Sequence, residues 1–317
     1  MHKFKNYIKL FFKGVAMGGA DVVPGVSGGT IAFITGIYGQ LLDSIKSVDL
    51  EALRLLSKGR LNALWTHVNG SFLLVLLSGI ALSIVSLAKV LHFLLEDYPI
   101  QLWSFFFGLI IIAAVSVSRE IRQWKGAVIL SGILGIIIAF FITEVSPAET
   151  PNAYWFVLLS GALAICAMIL PGISGSFILL ILGKYAFILE AINARNLAVI
   201  AVFGAGCIIG LLSFARLVSW LLQKYHDTAV ALLAGFMIGS LNKIWPWKEV
   251  LSTRINSKGE EVPLVTENIL PGEYMTATGM EPLIVQSIVF MLLGIGIVVL
   301  LEQFANRKDN KAETSAV

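Results

Sequence analysis

Charge is scarce in this sequence. Lysine, arginine, aspartate and glutamate make up 14% of the 317 residues, whereas hydrophobic residues make up 57% and the mean hydropathy is +0.85. Soluble domains carry about 25% charged residues. Because one folded core cannot bury this much apolar surface, the composition argues against a soluble domain and predicts a chain that crosses a lipid bilayer several times.

Cysteines are few, and patterns that bind metals are absent. Cys166 and Cys207 both lie inside apolar runs, and no C-x-x-C or H-E-x-x-H pattern occurs. We therefore expect no disulfide, no metal centre and no cofactor. The net charge of +3 comes from basic residues that are local rather than spread over one face. This distribution argues against a nucleic-acid partner.

Long apolar runs fill most of the chain and predict an all-α polytopic membrane protein. Six runs are long enough, or nearly so, to span the bilayer alone: 71–95, 100–118, 127–143, 197–222, 228–243 and 283–304. Two further apolar stretches, 8–45 and 153–190, are each interrupted by Pro-Gly. Each of these predicts a broken helical hairpin that returns to its starting side, whether it turns back halfway or crosses fully.

The positions of lysine and arginine predict the orientation. The N-terminus, the segment after the first hairpin and the tail 305–317 are basic, whereas the loops 96–99 and 144–152 contain no lysine or arginine. The positive-inside rule then places both termini in the cytoplasm and the long loop 244–281 outside. We expect the membrane to be the plasma membrane of the cell. Residues 49–58, with Asp49 as N-cap, predict a helix on the inner surface.

A repeat relates the two halves of the chain. The pattern P-G-[VI]-S-G-x7-G-x-Y begins at Pro24 and again at Pro171, 147 residues later. The next span repeats at a spacing of 127 residues, with Lys89 opposite Arg216. Residues 1–143 and 144–304 are therefore predicted to be two repeats, each a broken hairpin followed by three spans. Because three is odd, the second repeat should be inverted, as in many secondary transporters.

The two breaks predict an anion site. Proline ends the incoming helix, glycines allow the reversal, and serine or threonine can cap the outgoing helix, so free N–H groups and a positive helix end point to one place. The candidate phosphate-binding residues share these roles and comprise Gly25, Ser27, Gly28, Gly29, Thr30, Gly172, Ser174, Gly175 and Ser176.

Charged residues inside the apolar runs add to this hypothesis. A cation at the centre of a membrane helix costs about 2.5–3.5 kcal/mol on insertion scales. Lys89 and Arg216 occupy matched positions in the two repeats, so we add them to the candidate phosphate ligands. Asp21 lies three residues before Pro24 and is a candidate for binding a proton or sodium ion, or for pairing with Lys89 or Arg216. His92 is a candidate proton relay, although a packing histidine is at least as plausible.

The runs GGADVVPGVSGGTIAFITGIY (18–38), ILPGISGSFILLILGKY (169–185) and GFMIGSLNKIWPW (235–247) resemble the bacterial and archaeal polyprenyl-phosphate transporter family. The resemblance covers residues 8 to 304 approximately. It implies a translocase, rather than an enzyme, that returns undecaprenyl phosphate from the outer to the inner leaflet for cell-wall synthesis. It supplies no catalytic or binding residues, so the candidate site depends on the residues above. Coupling to protons or sodium ions at Asp21 is a further hypothesis.

Two other functions are compatible with the same motifs. A helix-end anion site serves any anion, so a transporter of a small soluble anion is the main alternative. Gly25 to Gly29 also match G-x-S-x-G, which would make Ser27 the nucleophile of an intramembrane serine hydrolase with His92 as base. The second alternative is weaker, because the strand–turn–helix context of that motif is absent.

Overall fold

Most of the chain is helical in the computed structural model, which describes residues 2–23, 26–145, 147–148, 150–255 and 261–314. The helices described in the first half are α1 (His2–Val22), α2 (Gly28–Ile34), α3 (Tyr38–Lys46), α4 (Leu50–Ser57), α5 (Leu61–His67), α6 (Gly70–Asp97), α7 (Pro99–Ser118) and α8 (Gly126–Glu144). Those of the second half are α9 (Tyr154–Ile169), α10 (Gly175–Ile181), α11 (Tyr185–Asn193), α12 (Leu197–Lys224), α13 (His226–Ser240), α14 (Pro271–Thr278) and α15 (Ile284–Thr314).

Several helices are long and apolar enough to cross a membrane. Among the described residues, four meet this condition by length and composition: Gly70–Leu87 within α6, α7, α8 and α12. The pair α10 and α11 reaches the same length together but bends by 105° at its break. Helix α9 and the apolar part of α15, Ile284–Leu300, are shorter apolar helices. The prediction of a helical, multi-pass membrane protein is confirmed at this level.

The corresponding helices of the two halves have equal lengths. Helices α2 and α10 each contain 7 residues, and α3 and α11 each contain 9. Helices α6 and α12 each contain 28 residues. All three pairs begin at the spacing found in the sequence, which is 147 residues for the hairpins and 127 residues for the long helix.

The first long helix of each half packs on the incoming helix of its own hairpin. Helix α1 lies along α6, and α9 lies along α12. A Cβ atom at Gly79 would overlap the carbonyl oxygen of Phe11, and one at Gly206 would overlap that of Leu158. These two contacts are related by the same spacings, so the helices of both pairs approach each other closely at equivalent glycines.

The remaining long helices pack across the two halves. Helix α7 lies along α15 and helix α13 along α8. A Cβ atom at Gly108 would overlap the carbonyl oxygen of Met291, and one at Gly235 would overlap that of Gly132. Helix α8 therefore corresponds to α15, at a third spacing of 159 residues between Gly132 and Met291. Each half thus completes the other, and the two halves form one packed body.

The segment between α13 and α15 contains the β-strands of the described chain. After a short 3-10 helix, Leu241–Ile244, strand β1 (Lys248–Ile255) pairs antiparallel with β2 (Glu261–Asn268). The indole N–H of Trp245 donates to the carbonyl oxygen of Ile269 at 2.9 Å, and that of Trp247 donates to Pro282 at 2.7 Å. The residues that connect the two strands, 256–260, lie outside the described residues.

The main apolar core surrounds the first hairpin. Six of the seven residues of α2 are buried, against residues of α7 and α9. On the side predicted to be cytoplasmic, Asp49 caps α4 and accepts a hydrogen bond from the Ala52 N–H at 2.9 Å. This bond lowers the pKa of the Asp49 carboxyl, because the N–H stabilises the charged form.

Candidate functional site

The two interrupted hairpins meet inside the protein. The Ser27 hydroxyl donates to the carbonyl oxygen of Met168 at 3.1 Å, and the Gly172 N–H donates to the Thr30 hydroxyl oxygen at 3.0 Å. The Tyr38 hydroxyl donates to the carbonyl oxygen of Ile169 at 3.3 Å. These three bonds join residues more than 130 positions apart in the chain. The structure therefore brings the two halves of the predicted site together.

The first break is capped by its own side chains. Helix α1 ends at Val22 and α2 begins at Gly28, with the Ser27 hydroxyl oxygen accepting from the Gly29 N–H at 3.1 Å. Serine is a favoured N-cap because its oxygen satisfies an N–H group that the helix leaves free. Pro24 and the candidate ligand Gly25 lie outside the described residues.

Asp21 lies at the positive end of the first outgoing helix. Its carboxylate accepts a hydrogen bond from the Gly28 N–H at 2.7 Å. A negative charge at the first turn of a helix is stabilised by the helix dipole and by the free N–H groups. Met168 occupies the equivalent position in the second half. The first break therefore contains an internal anion that the second break lacks.

The second break is capped differently. Gly172 has a φ of +88°, a left-handed conformation that glycine adopts without a steric penalty. Ser174 is the N-cap of α10 but makes no side-chain capping bond, and its hydroxyl instead lies 2.8 Å from that of Ser176. Since neither hydroxyl accepts from the backbone of the first turn, the start of α10 is less satisfied than the start of α2.

Lys89 and Arg216 do not join the breaks through a hydrogen bond in the described part of the chain. Both side chains are exposed. The Arg216 guanidinium donates to the carbonyl oxygen of Val48 at 3.2 Å, whereas Lys89 has no hydrogen bond or ion pair to another described residue. His92 belongs to α6, but its side chain lies outside the described residues.

Sequence reasoning missed a polar contact between α3 and α12, which we call the α3–α12 contact. The Lys46 ammonium donates to the Ser219 hydroxyl at 3.1 Å and lies 3.3 Å from the Asp43 carboxylate. The bond from Arg216 to Val48 joins α12 to the segment that directly follows α3, and we include it in this contact. The only sequence signal was the charge of these residues, which the orientation argument used without assigning it a partner.

A second missed cluster lies at the start of the loop predicted to be outside. Lys243 lies 4.5 Å from the centre of the Phe177 ring in α10. Lys248 donates to the side-chain oxygen of Asn268 at 2.5 Å and to the carbonyl oxygen of Asn242 at 3.4 Å. Burial, together with the nearby charge of Lys243, lowers the pKa of Lys248 to about 7.

Among the described residues, neither nucleophilic catalysis at Ser27 nor metal binding is supported by the geometry. The Ser27 hydroxyl is fully buried and is engaged with backbone groups on both sides, so no described side chain is placed to act as its base. Within the described ranges, no group of three histidine, cysteine, aspartate or glutamate side chains is arranged to hold a metal ion.

Comparison with known proteins identifies the family. The model of the VCA0040-like family, described as undecaprenyl phosphate translocase-like, matches residues 17–262. The chain belongs to this family. A member from Vibrio cholerae serotype O1, named polyprenyl-phosphate transporter, is 48% identical over 305 residues, which is 96% of this chain and 99% of the relative. A protein of the same name from Staphylococcus aureus is 32% identical over 265 residues, or 78% of this chain and 88% of the relative.

No solved structure matches this chain. The family assignment confirms the resemblance that the two Pro-Gly motifs and the run 235–247 indicated. The matched range includes both breaks, the α3–α12 contact, Lys243 and Lys248. The site residues themselves are not assigned by any of these relatives, so their roles are argued below from the geometry.

Proposed function

We propose that this protein is a polyprenyl-phosphate translocase that moves undecaprenyl phosphate from the outer to the inner leaflet of the bacterial plasma membrane. This movement would return the lipid carrier to cell-wall synthesis. The observation that carries the proposal is the direct hydrogen bonding of the two breaks within the apolar core of a chain of this family. The names of the two relatives support the substrate class.

The chemistry of the substrate fits this arrangement. A phosphate cannot enter hydrocarbon cheaply, because burying an unpaired anion costs many kcal/mol. The prenyl chain, in contrast, never has to leave the lipid. A protein that offers the head group N–H donors and cations along a sideways-open path is therefore sufficient, and the nine backbone and hydroxyl residues of the two breaks, with Lys89 and Arg216, are our proposed ligands.

The proposed mechanism is alternating access by two inverted repeats. The equal helix lengths and the equivalent glycine contacts support the repeat. Helices α2 and α3 pack on α7, α9 and α12. Within the described residues, α10 and α11 make no comparable contact with the equivalent helices α13 and α6. We propose that this asymmetry is an outward-facing state, with the side of α3 closed and the side of α11 open.

Asp21 is the proposed coupling residue. Its carboxylate holds the N–H of Gly28 at the start of α2, where a phosphate would otherwise bind. Protonation or sodium binding at Asp21 would remove this competing charge and favour entry of the head group. The coupling ion is part of the proposal, and either a proton or sodium would act through the same carboxylate.

Reconstitution in liposomes tests the function. Polyprenyl phosphate is added to one leaflet, and a membrane-impermeant phosphatase outside the vesicles reports how much head group remains accessible. We expect the purified full chain to protect the lipid with time, and to do so faster under a proton or sodium gradient. Equal protection in protein-free vesicles would contradict the proposal, and uptake of sulfate or a carboxylate in its place would favour the soluble-anion alternative.

A further inference from the structure

The run Leu241 to Lys248, whose first seven residues contribute to the family resemblance, has no part in the breaks. It follows α13 and comprises the 3-10 helix, three connecting residues and the first residue of β1. Two of its residues, Lys243 and Lys248, are half-buried and close enough for the charge of one to lower the pKa of the other. We call them the outer lysine pair. Two like charges that lie close together and are partly removed from water repel each other, so their proximity requires a physical explanation.

Lys248 is fixed by neutral groups. It is paired across the sheet with Asn268, whose side-chain oxygen accepts from its ammonium. The amide nitrogen of Asn268 donates to the backbone oxygen of Asn242 at 2.8 Å and to its side-chain oxygen at 2.7 Å. The amide network holds the lysine in position without neutralising it.

Lys243 has even fewer partners. It lies over the ring of Phe177 in α10, an attraction that leaves the ammonium protons free, and it makes no hydrogen bond to another described residue. The nearby carboxylate, that of Glu144, accepts from the Asn242 amide at 2.5 Å. One carboxylate thus faces two ammonium groups, and the cluster has an excess of positive charge.

An apolar cavity adjoins the same amides. Asn242, Asn268 and Glu273 line a cavity of about 490 Å³ whose apolar walls include Phe107, Ile136 and Phe140. A ligand with an anionic head and a hydrocarbon chain would contact the lysines with its head and the apolar cavity with its chain. Inorganic phosphate would use only the first of these features.

We propose that the outer lysine pair binds the phosphate monoester of a prenyl phosphate at the outer face before the head group reaches the second break. This inference rests on the proposed function, because it makes the site a loading point for the same substrate. Lys243 connects the site to α10 through Phe177, so the head group would pass directly to the hairpin that forms the open side in the proposed outward-facing state.

The test measures protection of each lysine in the full-length protein. An amine-reactive acylating reagent modifies Lys243 and Lys248, and peptide mass spectrometry reads the extent at each residue. We expect farnesyl phosphate to slow both modifications about tenfold, as a charge-assisted contact of this strength implies. Farnesol, which lacks the phosphate, should have no effect. Lys224, which also lies over aromatic rings but at the opposite end of α13 from Lys243, is the internal control.

Variants separate charge from folding. Lys243→Gln and Lys248→Gln should each weaken binding of farnesyl phosphate about tenfold, whereas Lys243→Arg and Lys248→Arg should retain most of it. Lys224→Gln should bind as the wild type does. Unchanged protection with farnesyl phosphate, or equal protection with inorganic phosphate at the same concentration, would overturn the proposal.

The outcome is separable from that of the proposed function. Transport in liposomes without protection of the lysines overturns this site and leaves the translocase standing. Protection of the lysines without transport supports the site and contradicts the translocase.

Discussion

The two broken hairpins have the same length and nearly the same turn sequence, yet their surroundings differ. In α2, Gly28 to Phe33 are all buried, whereas in α10 only Gly175 and Phe177 are. Tyr38 is buried to 4% exposure and bonds to the other hairpin, whereas the equivalent Tyr185 is half-exposed. A symmetric sequence has therefore folded into one sealed and one loosened hairpin.

The α3–α12 contact accounts for part of this difference. At the repeat spacings, Lys46 and Ser219 correspond to Asn193 and His92, and the bond from Arg216 to Val48 corresponds to one from Lys89 to Arg195. Among the described residues no such bond joins Lys89 to Arg195. Polar pairs thus close the first hairpin on its neighbour, and the proposed transport cycle requires them to break.

The largest effect should come from a substitution that separates the two hairpins. A Cβ atom at Gly29 would lie 2.6 Å from the carbonyl oxygen of Ile169 in the other hairpin. We expect Gly29→Ala to abolish transport and to destabilise the fold by about 1–3 kcal/mol, as overpacking of a core does. Thermal unfolding in detergent and liposome transport measure both effects.

Two other glycines serve as controls for this substitution. At Gly39, a Cβ atom would meet no other atom within 4 Å, so Gly39→Ala should behave as the wild type. At Gly175, a Cβ atom would lie 2.6 Å from the carbonyl oxygen of Ala164. This contact lies within the loosened hairpin, which can shift to relieve it. A larger loss of stability in Gly175→Ala than in Gly29→Ala would contradict the view that the first hairpin is the more tightly packed.

Removing the charge of Asp21 should make the first break similar in charge to the second, which has Met168 at the equivalent position. Asp21→Asn keeps an oxygen that can accept from the Gly28 N–H, so we expect the fold to be retained. Transport driven by an ion gradient should fall about tenfold, close to the rate without a gradient, because the neutral amide can no longer bind the coupling proton or sodium ion. The measurement is phosphatase protection in liposomes with and without the gradient. A gradient response equal to that of the wild type would remove Asp21 from the coupling mechanism.

Opening the α3–α12 contact should loosen the first hairpin. Ser44 is buried in α3. In a background with Cys166 and Cys207 replaced by serine, we expect Arg216→Gln to raise the labelling rate of a Ser44→Cys reporter several-fold with a water-soluble maleimide. The matched change Lys89→Gln should leave that rate unchanged, because Lys89 makes no equivalent bond in the described structure. Equal effects of both changes would mean that the asymmetry does not depend on this contact.

The sequence was sufficient to predict the breaks and two of the repeat spacings, because Pro-Gly-x-Ser-Gly and Lys89 with Arg216 are rare enough to align. It did not reveal the correspondence of α8 with α15, since these helices are almost uniformly apolar and only a few glycines distinguish a register. The partners of Lys46 and Lys248 were also out of reach. Both depend on which helix or strand lies beside them, and a local pattern contains no information on contacts so distant in the chain.

The smallest effect concerns pH at the outer loop, next to the loosened hairpin. The pKa of Lys248 is lowered to about 7, chiefly by burial and then by Lys243, while Glu144 opposes the shift. Lys248 is therefore charged below that pH and neutral above it, so its contribution to phosphate binding should be present at pH 6 and mostly absent at pH 8.5. Arginine remains charged throughout this range.

We therefore expect the ratio of farnesyl phosphate affinities, Lys248→Arg over wild type, to rise by a factor of about 3 to 10 between pH 6 and pH 8.5. The ratio removes the ionisation of the phosphate itself, because both proteins bind the same ligand. Since a bound phosphate favours the charged lysine, the pKa of Lys248 is raised in the complex, and the wild-type affinity therefore falls as the pH rises above the pKa of the free protein. A ratio that does not change between pH 6 and pH 8.5 would mean that Lys248 stays charged throughout this range. The loosened hairpin would then have a permanent positive charge beside it.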